Sequence, residues 1–137
     1  GLGLTSTLLV AKLNDLQLFE LALEYARRIR SEGTTKGNNL FVTLGPRGVL
    51  CLSRDGKIYH IILKDEYKEM VNYSAESRVA GTNGAGDTFA GAVVTLGTSR
   101  ENADITKIAM RASKASIRYI GYDGPIGYTS FNIRAYK

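Results

Sequence analysis

The segment Gly81-Thr82-Asn83-Gly84-Ala85-Gly86-Asp87-Thr88-Phe89-Ala90-Gly91 concentrates the residues of this chain best suited to chemistry. Its glycines let the backbone approach a ligand with no side chain in the way. They also permit turns that aim several N–H groups at one point. A helix is expected to begin at that point. Its first N–H groups lack intrahelical acceptors, and its dipole favours negative charge. Such a place suits a phosphate, above all one that gains charge during transfer. The same field favours an acidic side chain in the first turn, which puts Asp87 in place to accept a proton. Phosphorylation of a hydroxyl needs this pairing: a carboxylate orients the alcohol and takes its proton, while backbone amides stabilise the charge on the transferred group. The plainer alternative is a Gly-rich helix start that Asp87 merely helps to cap.

The elements that must hold this segment can be read from periodicity. Residues 15–31 are predicted to form a helix, opened by Asn14 with Gln17 three residues on, close to a capping box. Leu16, Phe19, Leu23 and Ala26 form one apolar stripe on it; Leu18, Ala22, Tyr25 and Ile29 form another. So wide an apolar surface implies packing against a sheet. Strands are predicted at 40–44, 49–53 and 57–63, with Asp55-Gly56 as a hairpin signal between the last two. The turn Gly45-Pro46-Arg47-Gly48 separates the first two. Residues 65–78 are polar and read mostly as loop, with a short strand near 77–80. The Gly-rich segment then leads into a helix over 85–96, which Gly97 and Ser99 interrupt. A last helix over 105–120 has Asp104 as its N-cap and an apolar stripe of Ile105, Ile108, Ala109, Ala112, Ser116 and Tyr119. Lys107, Arg111, Lys114 and Arg118 on that helix read as a solvated face. Gly121, Gly124, Pro125 and Gly127 make an irregular tail. This order argues for an α/β layered domain.

Composition bounds the function. A chain of 137 residues fits one domain with a real core. Its 44% hydrophobic and 23% charged residues are ordinary for a globular protein. The single cysteine, Cys51, excludes an internal disulfide framework and fits a reduced, cytoplasmic setting. Its apolar neighbours Leu50 and Leu52 point to a buried, inert thiol. The net charge of +5 favours anionic ligands such as nucleotides. No dense Lys/Arg block with interleaved aromatics argues for DNA or RNA. No apolar run is long enough to span a bilayer. The apolar N-terminus, residues 1–10, lacks a basic leader and reads as a strand from a larger fold, not as a signal peptide.

Residues 81–91 resemble the second signature of the PfkB (ribokinase-like) carbohydrate kinases, D-T-x-G-A-G-D followed by an aromatic or small residue and a glycine. Thr82, Gly84, Ala85, Gly86, Asp87, Phe89 and Gly91 match it. Val42-Thr43-Leu44-Gly45-Pro46-Arg47-Gly48-Val49 resembles the family's T-x-G-x-x-G segment, which lies beside ATP, and the two segments follow each other in the family's order. The likeness spans roughly residues 10–125. It implies the C-terminal part of a ribokinase-like layered sheet with flanking helices. It further implies ATP-dependent phosphoryl transfer to a hydroxyl of a sugar or nucleoside, with Mg2+ accompanying the nucleotide. In this reading Asp87 is the base, and Gly84, Ala85 and Gly86 form the anion hole. Thr43, Gly45, Gly48, Thr82, Asn83, Gly84 and Gly86 bind the nucleotide, and the last helix lies near the adenine.

Three departures qualify the match. Gly81 stands where the signature has an aspartate that helps to hold a monovalent cation in many members. The form T-N-G-A-G-D resembles that of pseudouridine-kinase-like members. Asn14 is followed by Gln17, not by the glutamate of the family's magnesium-linked N-x-x-E motif. The family's Gly-Gly motif and small β-sheet lid have no counterpart here. Residues 1–137 are therefore expected to be a single C-terminal nucleotide-binding and catalytic portion, without the substrate and lid part. Lost sheet neighbours would leave an apolar face that invites pairing with a second copy or with that part. The alternative function is a non-catalytic nucleotide-binding or interaction module derived from such a kinase.

Overall fold

The computed structural model describes residues 13–31, 39–76, 84–98 and 104–136. Among them a four-stranded antiparallel sheet in the order β1-β2-β3-β4 is flanked by helices on both faces. The strands are β1 (Leu40–Thr43), β2 (Val49–Leu52), β3 (Ile58–Leu63) and β4 (Phe131–Tyr136). The helices are α1 (Asp15–Ser31), α2 (Asp65–Glu76), α3 (Ala85–Thr98) and α4 (Ile105–Tyr119). The α/β layering expected from the sequence is present, and the sheet is open.

Strand β2 is the axis of the packing. All four of its residues are buried, and alternation splits them between two cores. Leu50 and Leu52 join Ile58 beneath Phe19, Ala22 and Ala26 of α1. Val49 and Cys51 join Ile61 on the opposite face, beneath Phe89 of α3 and Ala109, Ala112 and Ile117 of α4. The registers Val49↔Ile61 and Leu63↔Phe131 keep the second face continuous into β4. Cys51 is fully buried there, and desolvation pushes its thiol up to about 12, so it stays protonated and unreactive.

The hairpin at Asp55-Gly56 forms as expected. Gly56 N–H donates to Ser53 O at 3.0 Å, and Gly56 takes φ +89°, the left-handed position of a turn that only glycine adopts easily. The Asn14–Gln17 capping box is also made: Gln17 N–H donates to Asn14 Oδ1 at 2.8 Å, and Asn14 N–H to Gln17 Oε1 at 3.0 Å.

Four expectations need correction. Residues 65–76 are helix α2, not loop; Tyr67 and Val71, four apart, turn one face into the second core. The chain after the Gly/Pro-rich stretch is not irregular to its end: β4 pairs along the whole of β3. Helix α3 runs through Gly97 to Thr98. Helix α1 buries a narrower arc than its two stripes suggest. Leu16 is 65% exposed and Tyr25 57%, because a helix lying on one sheet face covers only the residues along its contact line. The expected strands at 1–10 and 77–80 fall outside the described residues.

Helix α4 has two firm ends. Asp104 caps its start, accepting from Thr106 N–H at 2.9 Å and from the Thr106 hydroxyl at 2.7 Å. At its other end, Gly121 N–H donates to Arg118 O at 3.1 Å and Tyr122 N–H to Ile117 O at 3.3 Å, with Gly121 at φ +101°, a Schellman closure. The Thr106 hydroxyl bond is the main cause that lowers the Asp104 carboxyl below its usual value, against an opposing desolvation. These bonds exist only in the folded chain. Their contribution is therefore full above the unfolded carboxyl value and is lost as pH falls from there through the lower folded value. Asp104→Ala is expected to cost about 1 kcal/mol in urea unfolding at pH 7. The difference from wild type should shrink below about pH 4.

Candidate functional site: a cleft between two glycine turns

Two tight turns, distant in sequence, line one cleft of about 440 Å3. The first joins β1 to β2. Leu44 N–H donates to Gly48 O at 2.8 Å, and Gly48 N–H donates to Gly45 O at 3.1 Å, closing a single helical turn over Gly45–Arg47. Gly45 has φ +60° and Gly48 φ +95°. A Cβ at Gly48 would collide with the carbonyl of Ile61, so the turn sits against β3 only because this residue has no side chain. Arg47 ties the turn to the start of α1, donating from Nη1 to Leu13 O at 2.7 Å, with Nε 3.7 Å from the Asp15 carboxylate. His60 Nε2 lies 2.7 Å from Arg47 O on the same turn.

The second turn opens α3. Gly84 has φ +90°, and a Cβ there would lie 2.5 Å from the hydroxyl oxygen of Tyr119, in the last turn of α4. Thr88 N–H and its hydroxyl both donate to Gly84 O, at 3.0 and 2.9 Å. Helix geometry leaves the preceding amides, those of Ala85, Gly86 and Asp87, without an intrahelical acceptor. Ser116 of α4 donates from Oγ to Ala85 O at 3.0 Å, which fixes the start of α3 against α4. Phe89, one turn on, is buried beneath the cleft, with Phe41 edge-on at 6.3 Å between ring centroids.

The cleft brings together Thr43, Gly45 and Gly48 from the first turn and Ala85 and Gly86 from the second. Val49, Ile61, Phe89 and Phe131 contribute apolar lining. Ser113, Ser116, Ile117 and Ile120 of α4 form a side wall, so the last helix does border the site. Gly84 shapes the turn without lining the cleft. Asp87 is exposed in the first turn of α3 and does not contribute to the lining. Thr82 and Asn83, and with them Gly81, lie outside the described residues.

Helix α2 adds two residues that sequence reasoning missed, Lys68 and Asn72. Their spacing of four, offset by one from Tyr67 and Val71, was the available signal. Lys68 brings a cation to a cleft otherwise lined by apolar and small polar groups. A volume near 440 Å3 falls within the range of about 300–1,000 Å3 usual for small-molecule sites. Bare glycine backbone and helix-start amides suit phosphate, the apolar walls suit a flat base, and Lys68 suits an anion. These residues fit a nucleotide. Among the described residues, no three His, Cys, Asp or Glu side chains come together to hold a metal. Among the same residues, no helix is long and apolar enough to cross a membrane.

Comparisons with protein-family models, with curated proteins and with solved structures gave no significant match to this chain.

The fit of Gly84 against Tyr119 is directly testable. Gly84→Ala is expected to destabilise the chain by about 1–3 kcal/mol, from a left-handed non-glycine residue pressed onto a ring. In a Tyr119→Phe background, which lacks the nearest atom, the same change should cost less by about 0.5 kcal/mol or more. Thermal unfolding of the four proteins reads the difference.

Proposed function

We propose that this chain is the nucleotide-binding part of an ATP-dependent kinase acting on a hydroxyl of a sugar or nucleoside, built as the C-terminal part of a ribokinase-like fold. The observation that carries the reading is the convergence of Thr43, Gly45 and Gly48 with Ala85 and Gly86 on one cleft, 37 residues or more apart in sequence. The two segments that resemble family motifs lie far apart in sequence, and a chance likeness gives no reason for them to meet.

In this reading bound ATP supplies the phosphoryl group. The amides at the start of α3 face the group's negative charge and need no reorganisation, since Ser116 and Tyr119 already hold that turn in place. The backbone at Gly45 and Gly48 admits the rest of the nucleotide, and Ile117 and Ile120 offer an apolar wall for its base. Lys68 offsets phosphate charge from across the cleft. Asp87 accepts the proton of the acceptor hydroxyl as the acceptor oxygen bonds to the γ-phosphorus and the bond from that phosphorus to ADP breaks, with ADP as the leaving group. Its position outside the lining suits a group that faces an acceptor and not the nucleotide.

That same position also favours a second reading, a nucleotide-binding module that performs no transfer. Here Asp87 is only an acidic residue in the first turn of a helix, favoured by the dipole.

One experiment separates the two. Phosphorylation of a panel of sugars and nucleosides is measured alongside calorimetric binding of Mg·ATP, for wild type and for Asp87→Asn. The kinase reading expects turnover with at least one acceptor, lowered about 10²–10⁴-fold by the substitution, with nucleotide affinity held within about threefold. Unchanged turnover would remove Asp87 from the chemistry. Binding without any turnover in the complete gene product would favour the module, and no binding of Mg·ATP would remove both.

A further inference from the structure

We propose that the groove between α4 and the segment 126–131 is a second ligand site, for a small phosphorylated compound with an aromatic or apolar body. It lies on a different face of α4 from the glycine-turn cleft. Lys107, Arg111, Lys114 and Arg118 recur at intervals of four, three and four, which places all four on one narrow arc of the helix. The opposite arc carries the buried Ile105, Ile108, Ala109 and Ala112.

The groove has a volume of about 460 Å3 and is lined by Arg111, Lys114 and Arg118 from the helix and by Ile126 and Tyr128 from the facing segment. Met110 contributes apolar lining. Arg118 is held firmly: its Nη1 donates to Gly124 O at 2.6 Å and to Tyr122 O at 3.0 Å. A fixed guanidinium thus stands in the groove, with carbonyls and not carboxylates as its partners. Lys107 lies 5.9 Å from the ring centroid of Tyr128, so the outer wall is also a cation beside an aromatic face.

Two structural explanations cover only part of this stripe. Arg118 suits the negative end of the α4 dipole and closes the turn after it. Solvation accounts for a single exposed lysine. Neither accounts for four cations stacked along one arc, since like charges at this spacing repel. The ion pairs among the described residues join Arg28 to Glu24, Arg47 to Asp15 and Lys57 to Asp55. None involves α4. The positive field is therefore concentrated in a concave, partly apolar place, where it raises the local concentration of anions.

The shape selects the class of ligand. A nucleic acid or an anionic membrane would need cations spread over an extended surface. This groove instead has the volume of one small molecule, with the fixed Arg118 in its lining. Guanidinium and ammonium groups side by side suit phosphate oxygens, and Tyr128 offers a ring for stacking.

The test uses the full 137-residue chain, titrated by calorimetry with 1-naphthyl phosphate and with inorganic phosphate. The naphthyl ester should saturate and bind about tenfold or more tightly than inorganic phosphate, because both halves of the groove contribute. Arg111→Glu with Lys114→Glu should weaken both ligands about tenfold or more, whereas Tyr128→Ala should weaken only the ester. All three side chains are exposed, and circular dichroism confirms that each variant is folded. The proposal is overturned if neither ligand saturates or if charge reversal leaves the affinity unchanged. It is also overturned if a single-stranded oligonucleotide or phosphatidylserine vesicles bind through these residues while the naphthyl ester does not. Retained Mg·ATP binding in the charge-reversal variant would show that the glycine-turn cleft is a separate site.

Discussion

The start of α3 meets the end of α4 at a glycine in the left-handed conformation, with the ring tip of Tyr119 against it. Gly84 turns with a positive φ directly beneath the Tyr119 hydroxyl, and Ser116 bonds the carbonyl of the next residue. That contact sets where the unpaired amides of α3 stand and which way they face. The other wall is fixed by an equally close contact, Gly48 against the carbonyl of Ile61. The width and lining of the cleft follow from these two approaches. A side chain at Gly48 would strike the backbone of β3, and one at Gly84 would strain its positive φ and displace the tip of Tyr119.

The sheet makes the arrangement rigid. Val49 and Ile61 pair across β2 and β3, and both lie in the same core as Phe89 and Ile117. Each cleft wall is thus continuous with one packed cluster, and movement of either would open that cluster to water. Burial of a Leu- or Ile-sized side chain contributes about 1.5–3 kcal/mol, so displacing even one of these residues is a large cost to a domain of this size. Phe19 of α1, on the far face, stacks on Tyr136 of β4 with 3.9 Å between ring centroids. That contact joins the two ends of the described chain, and it anchors the edge strand whose partner β3 lines the cleft.

Much of this was legible in the sequence where a single residue type decides the local geometry. The helix caps at Asn14 and Asp104, the hairpin at Gly56 and the stop at Gly121 each depend on one short side chain or one positive φ. The glycine turns were legible for the same reason, and residues of both line one cleft. What was not legible depends on tertiary neighbours. Helix α2 is polar along most of its length, and Tyr67 and Val71 mark its inner face only once a core exists to receive them. Strand β4 alternates as Phe131-Asn132-Ile133-Arg134-Ala135-Tyr136, but with Ile133 48% exposed at a sheet edge, the pattern is weak. A loop over 65–76 would give Lys68 no fixed direction, and it is the helix that brings it to the cleft. Asp87, the residue with the clearest chemical reading in the sequence, stands outside the lining. Its role as a base is therefore a matter of residue chemistry and not of contacts within the cleft.

The central claim is that the two glycine turns form one nucleotide site. Backbone amide NMR of the chain titrated with Mg·ATP tests it most directly. The account predicts that the amides of Gly45, Gly48, Ala85 and Gly86 shift together and saturate at a single affinity, with Ser116 and Ile117 following on α4. Saturating shifts at only one of the two turns, or shifts confined to residues away from both, would contradict it.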